Sequence, residues 1–125
     1  MKTKRRSLAL IAAVGMMLIA VVAFYGCDSQ SVPDGTSEEM YEIGCDALDA
    51  LDEALDNNDL FNPQLQDKLK TLSVKARDAS RNSEDGQYNN SEILSCIQGA
   101  SICLSQNDGD GVMEHVDKLR SALGK

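Results

Sequence analysis

The sequence predicts an all-α protein, in which an apolar N-terminal segment precedes a small antiparallel four-helix bundle or two helical hairpins. Three observations predict this fold. Apolar residues recur every three or four positions through most of the chain after residue 36, and no segment shows the period-two alternation of a strand. Short polar stretches separate these segments, as is typical of helices that pack against their sequence neighbours. A length of 125 residues allows one small domain.

The first two helices are expected near residues 37–56 and 63–81. Thr36 and Glu39 have the spacing of a capping box, which predicts that the first helix begins near Ser37. Asn62 before a proline predicts the start of the second helix, because proline suits the first helical position. The apolar face of the first helix comprises Tyr41, Cys45, Leu48, Leu51 and Leu55, and that of the second comprises Leu65, Leu69, Leu72, Ala76 and Ala79.

The last two helices are expected near residues 90–106 and 111–123. Asn89 and Glu92 again have capping-box spacing and predict the start of the third helix. The polar stretch Asn107–Gly111 predicts a tight turn before the fourth. The expected core positions are Ile93, Ile97, Ala100 and Leu104 in the third helix, and Val112, Val116, Leu119 and Leu123 in the fourth.

The apolar run from Leu8 to Tyr25 contains no charged residue and follows a basic start. As a helix it would span about 27 Å, close to the thickness of the hydrocarbon core of a bilayer. Cations before the run and none soon after it predict that the N-terminus stays inside and the remainder is translocated. Residues 28–36 are polar and are expected to link this segment to an extracytoplasmic helical domain at 37–125.

The end of the apolar run carries a small residue, Gly26, directly before Cys27. This arrangement resembles the lipobox of bacterial lipoproteins, although Phe24 and Tyr25 are bulkier than the residues usual there. The resemblance covers residues 1–28 and implies that Cys27 is lipidated and the preceding peptide removed. In enteric bacteria, Asp28 in this position resembles an inner-membrane retention signal. The alternatives are an uncleaved signal anchor, for which residues 1–27 form the membrane segment, and a secreted form.

The charge distribution excludes one class of partner. The chain has 12 Lys and Arg against 20 Asp and Glu, with a net charge of −8. Four of the bases lie before residue 28, so the remainder is still more acidic than the whole chain. Such a surface repels phosphate backbones, and nucleic acid is therefore not expected as a partner.

Four acids of the first helix, Asp46, Asp49, Glu53 and Asp56, fall on one face by the three-and-four rule. We call them the acidic face. One interpretation is a solvated surface partly paired with the bases of the second helix, namely Lys68, Lys70, Lys75, Arg77 and Arg81. Another is a docking surface for a basic protein. Binding of a divalent cation is a third.

Cysteine spacing allows one disulfide in an oxidising compartment. Cys96 and Cys103 lie two turns apart on one helix and cannot bridge each other, because bridged Cα atoms lie within about 7 Å. Cys45 could pair with Cys96 or with Cys103 if the first and third helices are neighbours. Alternatively, all three are small buried apolar residues. The spacing does not match a zinc site, and no metal is expected there.

Two further features have weak chemical signals. Asp108, Asp110 and Gly111 resemble the middle of an EF-hand loop, but Gln106 and Asp117 would occupy the first and last ligand positions. A turn between two helices explains the same residues. His115, the single histidine, flanks the apolar stripe of the fourth helix and is expected to be a partly buried structural residue. No catalytic residue and no cofactor are predicted.

These observations favour a non-catalytic protein-interaction module, tethered to a bacterial cell membrane through its N-terminal anchor or lipid and facing away from the cytoplasm. The partner is expected to be another protein of the envelope. The alternative is a divalent-cation-binding or envelope stress-sensing protein that uses the acidic face or the Asn107–Gly111 turn. Neither hypothesis requires an enzymatic activity.

Overall fold

The structure, a computed structural model, describes residues Val32–Lys125. Within that range the chain forms four α-helices and no strand: α1 (Glu38–Asp56), α2 (Pro63–Arg81), α3 (Asn89–Ser105) and α4 (Gly109–Ala122). None of these four helices is long and apolar enough to cross a membrane. The apolar run from Leu8 to Tyr25 and the lipidation site Cys27 lie outside the described residues.

Helices α1 and α2 begin where side chains satisfy their first backbone amides. The Ser37 hydroxyl accepts a hydrogen bond from the Met40 amide at 3.2 Å, so Ser37 is the N-cap of α1. The predicted capping box of Thr36 and Glu39 is therefore wrong by one residue. The cap predicted for α2 is confirmed, since the Asn62 side chain accepts from the Leu65 amide at 2.7 Å and is followed by proline.

Helix α3 begins without a side-chain cap. Its N-cap is Tyr88, and Asn89 is already helical, so the capping box predicted from Asn89 and Glu92 is not formed. The Asn89 side chain instead donates to the Thr36 hydroxyl and to the Ala122 carbonyl, both at 2.8 Å. Tertiary hydrogen bonds thus replace the expected local one.

Helix α4 begins two residues earlier than the apolar pattern indicates. Asp108 is its N-cap, and a carboxylate oxygen of this residue accepts from the Gly111 amide at 3.0 Å. Asn107 has a φ of 54°, and this left-handed residue turns the chain from α3 into α4. Leu123, expected inside the helix, is its buried C-cap.

The four helices form one bundle in which consecutive helices are antiparallel. The starts of α1 and α3 and the ends of α2 and α4 meet at one end, which we call the Ser37 end. At the other end, the Gln66 side chain near the start of α2 reaches the Leu104 carbonyl near the end of α3. Both α1 and α3 pack against all three other helices. A shared core, and not two separate hairpins, therefore holds the domain together.

The core is built largely from the faces that the periodicity predicts, but Leu55 of the predicted face of α1 is half-buried, and Met40, outside that face, is fully buried. Gly44 lets α1 approach the rest of the bundle closely, because a Cβ there would lie 2.8 Å from Leu123 and 3.1 Å from Ile93. Burial of the apolar core side chains is the main favourable contribution to the free energy of folding. The largest fully buried apolar side chains are Met40, Leu48, Leu51, Leu69, Ile93, Ile97, Leu104, Leu119, Leu123 and Val112.

Asn90 is the most buried polar residue of the described chain and is 1 % exposed. Its side-chain oxygen accepts from the Ser37 amide at 2.9 Å, and its nitrogen donates to the hydroxyls of Ser37 at 3.1 Å and Ser83 at 2.7 Å. The Ser83 hydroxyl in turn donates to the Ala79 carbonyl at 3.2 Å. The three hydrogen bonds of the Asn90 side chain therefore join α3 to the start of α1 and to the end of α2.

The last residues of the predicted linker belong to the folded domain. The Thr36 amide donates to the Pro33 carbonyl at 3.2 Å, and the Asn89 amide donates to the Gly35 carbonyl at 2.9 Å. Gly35 has a φ of +78°, and a Cβ there would lie 2.7 Å from the ring of Tyr88. This turn needs glycine both for its backbone conformation and for space.

We expect Asn90→Ala to lower the free energy of unfolding by about 2–3 kcal/mol, because it leaves the part-buried Ser37 amide without its acceptor and removes one hydrogen bond from each of the Ser37 and Ser83 hydroxyls. The matched control is Asn82→Ala, since Asn82 is an exposed C-cap. Chemical denaturation of the full-length chain in detergent, followed by circular dichroism, measures both. Equal decreases in the free energy of unfolding of the two variants would show that the hydrogen bonds of Asn90 do not stabilise the fold more than an exposed asparagine does.

Candidate functional site

The acidic face lies on the side of α1 that points away from the bundle. Asp46, Asp49, Glu53 and Asp56 are all exposed. Ala47, Ala50 and Ala54 lie on another side of the helix and are buried, and Ala50 and Ala54 line a cleft together with Leu65 and Lys68 of α2. Packing therefore fixes the rotation of α1 and keeps the four carboxylates in solvent.

The acidic face forms no ion pair within the described part of the chain, and neither do the bases of α2. Asp52 lies beside the acidic face and is paired instead with α4, where Arg120 Nη2 lies 2.8 Å from its carboxylate. An ion pair this exposed contributes at most about 1 kcal/mol. The expected partial pairing between the acidic face and α2 is thus not formed.

A cleft of about 250 Å³ adjoins the acidic face at the end of α1. Glu53 lines it from α1, and Lys68 lines it from α2. Asn62, another lining residue, is occupied in capping α2 and in donating to the Asp59 carbonyl. Glu53 and Lys68 thus line the same cleft, but no ion pair joins them.

The turn that resembles an EF-hand loop is used for capping. One carboxylate oxygen of Asp108 is bonded to the Gly111 amide, and a Cβ at Gly111 would lie 2.7 Å from the Cys103 sulfur. Asp110 points into solvent as an exposed residue of the first turn of α4. Among residues 32–125, no three His, Cys, Asp or Glu side chains are grouped so that they could hold a metal ion.

His115 is half-buried and packs against the backbone of α3. A Cβ at Gly99 would overlap the imidazole ring, so the absence of a side chain at Gly99 creates the space for His115. Its Nδ1 is buried and has no hydrogen-bond partner in the described structure. The ring therefore acts as a packing group between α3 and α4. The apolar pattern correctly predicted that His115 lies beside the core. It did not predict that His115 packs on Gly99.

The cysteines occupy the interior as small side chains. Cys45 and Cys96 are buried and Cys103 is half-buried. The structure forms no disulfide among them, and the pairing of Cys45 with Cys96 or Cys103 stays a prediction for the oxidised protein. Burial raises the pKa of Cys96 to about 11, and Glu92 adds to this effect while Lys118 opposes it. Burial also raises the pKa of Cys103, with help from Asp108 and Glu114. Both groups are therefore thiols, the less reactive form, at neutral pH.

Comparison with known proteins identifies no relative. Neither the family models, nor the curated proteins, nor the solved structures include a match to this chain. The functional argument accordingly depends on the residues described above.

We expect Gly99→Ala to lower the free energy of unfolding by about 1–3 kcal/mol, because the new methyl group collides with His115 in a packed contact. In a His115→Ala background the sign should reverse, since the space is then open and alanine is favoured over glycine in a helix by about 1 kcal/mol. Urea denaturation of the single and double variants measures the coupling.

The control for this cycle is Gly109→Ala, because a Cβ at Gly109 would meet only the ring of Phe61, at an ordinary 3.8 Å. That variant should be close to neutral in both backgrounds. A Gly99→Ala chain as stable as the wild type would contradict the packing role assigned to His115.

Proposed function

We propose that this chain is a non-catalytic protein-interaction module of a bacterial cell envelope. It is tethered to the membrane by its N-terminal segment, as a lipoprotein or through an uncleaved anchor, and presents its helical domain outside the cytoplasm. The acidic face of α1 binds a basic surface on another protein. No family relationship supports this proposal, which rests on the sequence and on the geometry of α1.

The observation that carries the proposal is that the carboxylates of the acidic face, Asp46, Asp49, Glu53 and Asp56, are exposed and form no ion pair within the described residues. Like charges spaced three and four apart on a helix destabilise it by about 0.2–0.5 kcal/mol per pair. A basic partner would relieve this repulsion, and complementary charge also speeds association and selects among partners.

The interior of the domain supports a binding role over a catalytic one. The His115 ring is packed on Gly99. Burial raises the pKa of both the Cys96 and the Cys103 thiol, the opposite of what activates a nucleophilic cysteine. These residues, the natural candidates for nucleophile or base, are used to fill space between helices.

We expect the exchange of Asp46, Asp49, Glu53 and Asp56 for Asn to abolish partner capture and to leave helicity intact, because the carboxylates are exposed and not needed for packing. The matched control exchanges four exposed acids elsewhere, Asp67, Asp78, Glu84 and Asp85, for their amides and so removes the same charge. The measurement is quantitative mass spectrometry of proteins crosslinked in living cells to the membrane-bound full-length chain. Capture that survives in the first variant, or is lost equally in the control, would refute the role of the acidic face.

The tether is tested by the intact mass of the protein extracted from membranes, with and without reduction. We expect the mass of a chain that begins at a diacylated Cys27, or that of the full chain from Met1. The first result establishes a lipoprotein and the second a transmembrane anchor. The shift on reduction reports whether two of the cysteines are bridged. An unmodified, shortened chain found only in the soluble fraction would contradict the tether.

A further inference from the structure

The outer surface shared by α2 and α3 carries positive charge in an otherwise acidic domain. Lys70, Arg77 and Arg81 of α2 are exposed, and they follow Gln66 at spacings of four, seven and four. They therefore lie on the same flank of α2 as Gln66, whose side chain reaches the Leu104 carbonyl of α3. Neither ion pair of the described residues involves these three bases.

Helix α3 adds an almost uncharged surface beside these bases. Its single charged residue, Glu92, lies close enough to Lys118 of α4 to interact with that ammonium, and so belongs to the flank that faces α4. The other exposed residues of α3 are uncharged: Ser91, Ser95, Ile102 and Ser105. No carboxylate of α3 therefore neutralises the bases of α2.

Two exposed apolar side chains accompany the bases. The hydrogen bonds at the two ends of α2 and α3 fix the relative level of these helices and bring Lys70 to about the height of Ile102, which is 55 % exposed. Val74, which is 54 % exposed, lies between the bases on α2. A mixture of bases and exposed apolar side chains is typical of a surface that binds at a membrane interface. We call this surface the α2–α3 face; it comprises Lys70, Val74, Arg77, Arg81 and Ile102.

The acidic face lies on the opposite side of the bundle from the α2–α3 face. Asp52, beside the acidic face, is paired with Arg120, so the acidic face leans toward α4, whereas α2 and α4 are at far corners of the bundle. Two helix diameters, about 20 Å, exceed the screening length of about 8 Å at physiological ionic strength. Asp67 and Asp78 border the α2–α3 face only on the side toward α1. The net negative charge of the domain therefore acts weakly on an anion at the α2–α3 face.

The N-terminal tether keeps this face within reach of lipid. The five peptide steps from Cys27 to Val32 extend at most about 18 Å. Arg81 ends α2 at the Ser37 end, where the described chain also begins, and the bases continue from there to Lys70 over about 16 Å of helix. Tethering at this short range raises the effective concentration of headgroups around the domain.

We propose that the α2–α3 face lies against the anionic lipid headgroups of the membrane to which the chain is tethered. Its bases contact lipid phosphates, and Val74 and Ile102 enter the interface between them. The acidic face then points away from the membrane, where a basic protein can reach it. The inference rests on the tether of the proposed function and adds the orientation in which the acidic face is presented.

The test uses the absence of tryptophan from the chain, because a single introduced tryptophan then reports only on its own surroundings. Ile102→Trp places this reporter in the α2–α3 face. Met113→Trp places it on α4 at a residue of similar exposure, 48 %, seven positions before Arg120 and thus on the flank that faces α1. Bromine on the lipid acyl chains quenches a tryptophan that reaches the bilayer interface.

Each full-length chain is reconstituted in brominated vesicles of equal parts phosphatidylglycerol and phosphatidylcholine, and in brominated vesicles of phosphatidylcholine alone. The face variant adds Lys70→Gln, Arg77→Gln and Arg81→Gln to the Ile102→Trp chain. The matched control adds Lys68→Gln, Lys75→Gln and Lys118→Gln and so removes the same charge elsewhere. Circular dichroism verifies that every chain is folded, and flotation with the vesicles verifies that it is tethered.

We expect the Ile102→Trp reporter to be quenched in the anionic vesicles and the Met113→Trp reporter to stay unquenched. The face variant should lower the ratio of lipid-bound to free domain by at least about tenfold, because each base near an anionic surface strengthens association about fivefold. The matched control should be quenched like its parent. Phosphatidylcholine vesicles, which lack net charge, should give the same loss as the face variant.

An Ile102→Trp chain that floats with the vesicles but is not quenched would overturn this inference and leave the tether and the acidic face standing. Equal quenching of both reporters, or full quenching of the face variant, would overturn it as well. Crosslinking of the α2–α3 face to an acidic protein, without quenching, would assign the surface to a protein partner instead. A chain that does not float with either kind of vesicle would refute the tether and this inference together.

Discussion

The arrangement of the four helices depends on the two asparagines at the start of α3. Asn90 binds the first residues of α1 and the end of α2, and Asn89 binds Thr36 and the carbonyl of Ala122 at the end of α4. All four helices are thus joined at the Ser37 end. Because a buried amide is costly to leave unpaired, alternative packings that separate these groups are disfavoured. This specificity is more than a core of aliphatic side chains provides.

The same constraint determines which surface of α1 reaches solvent. With its start fixed by Ser37 and its middle packed closely at Gly44, α1 is held in a rotation that buries Ala47, Ala50 and Ala54. The acids between those positions have no place in the interior. The segregation of negative charge on α1 and positive charge on α2 is therefore a property of the fold as well as of the composition.

Periodicity predicted the elements well and the tertiary details poorly. The spacing of apolar residues is a local property, and it indicated the four helices, their buried faces and the exposure of Asp46 and its neighbours. Capping motifs were less reliable, because Asn89 and Thr36 have partners distant in sequence that compete with the local ones. The fit of His115 on Gly99 could not be predicted, since it depends on the relative level of two helices. The lack of pairing between α1 and α2 depends on their rotation in the same way.

The turn at Pro33–Gly35 has a topological consequence. Pro33 lies beside the last residues of the chain, since a Cβ at Gly124 would be 3.5 Å from its ring. The domain thus begins and finishes at the same place, and a short loop could join Lys125 to Val32. New termini could then be opened at Asn107, which lies in an exposed turn at the opposite end. The order of the helices along the chain can thus be changed without changing their arrangement in space. Such a circular permutant would present the same surface of α1, but its termini would lie at the end of the bundle opposite the Ser37 end.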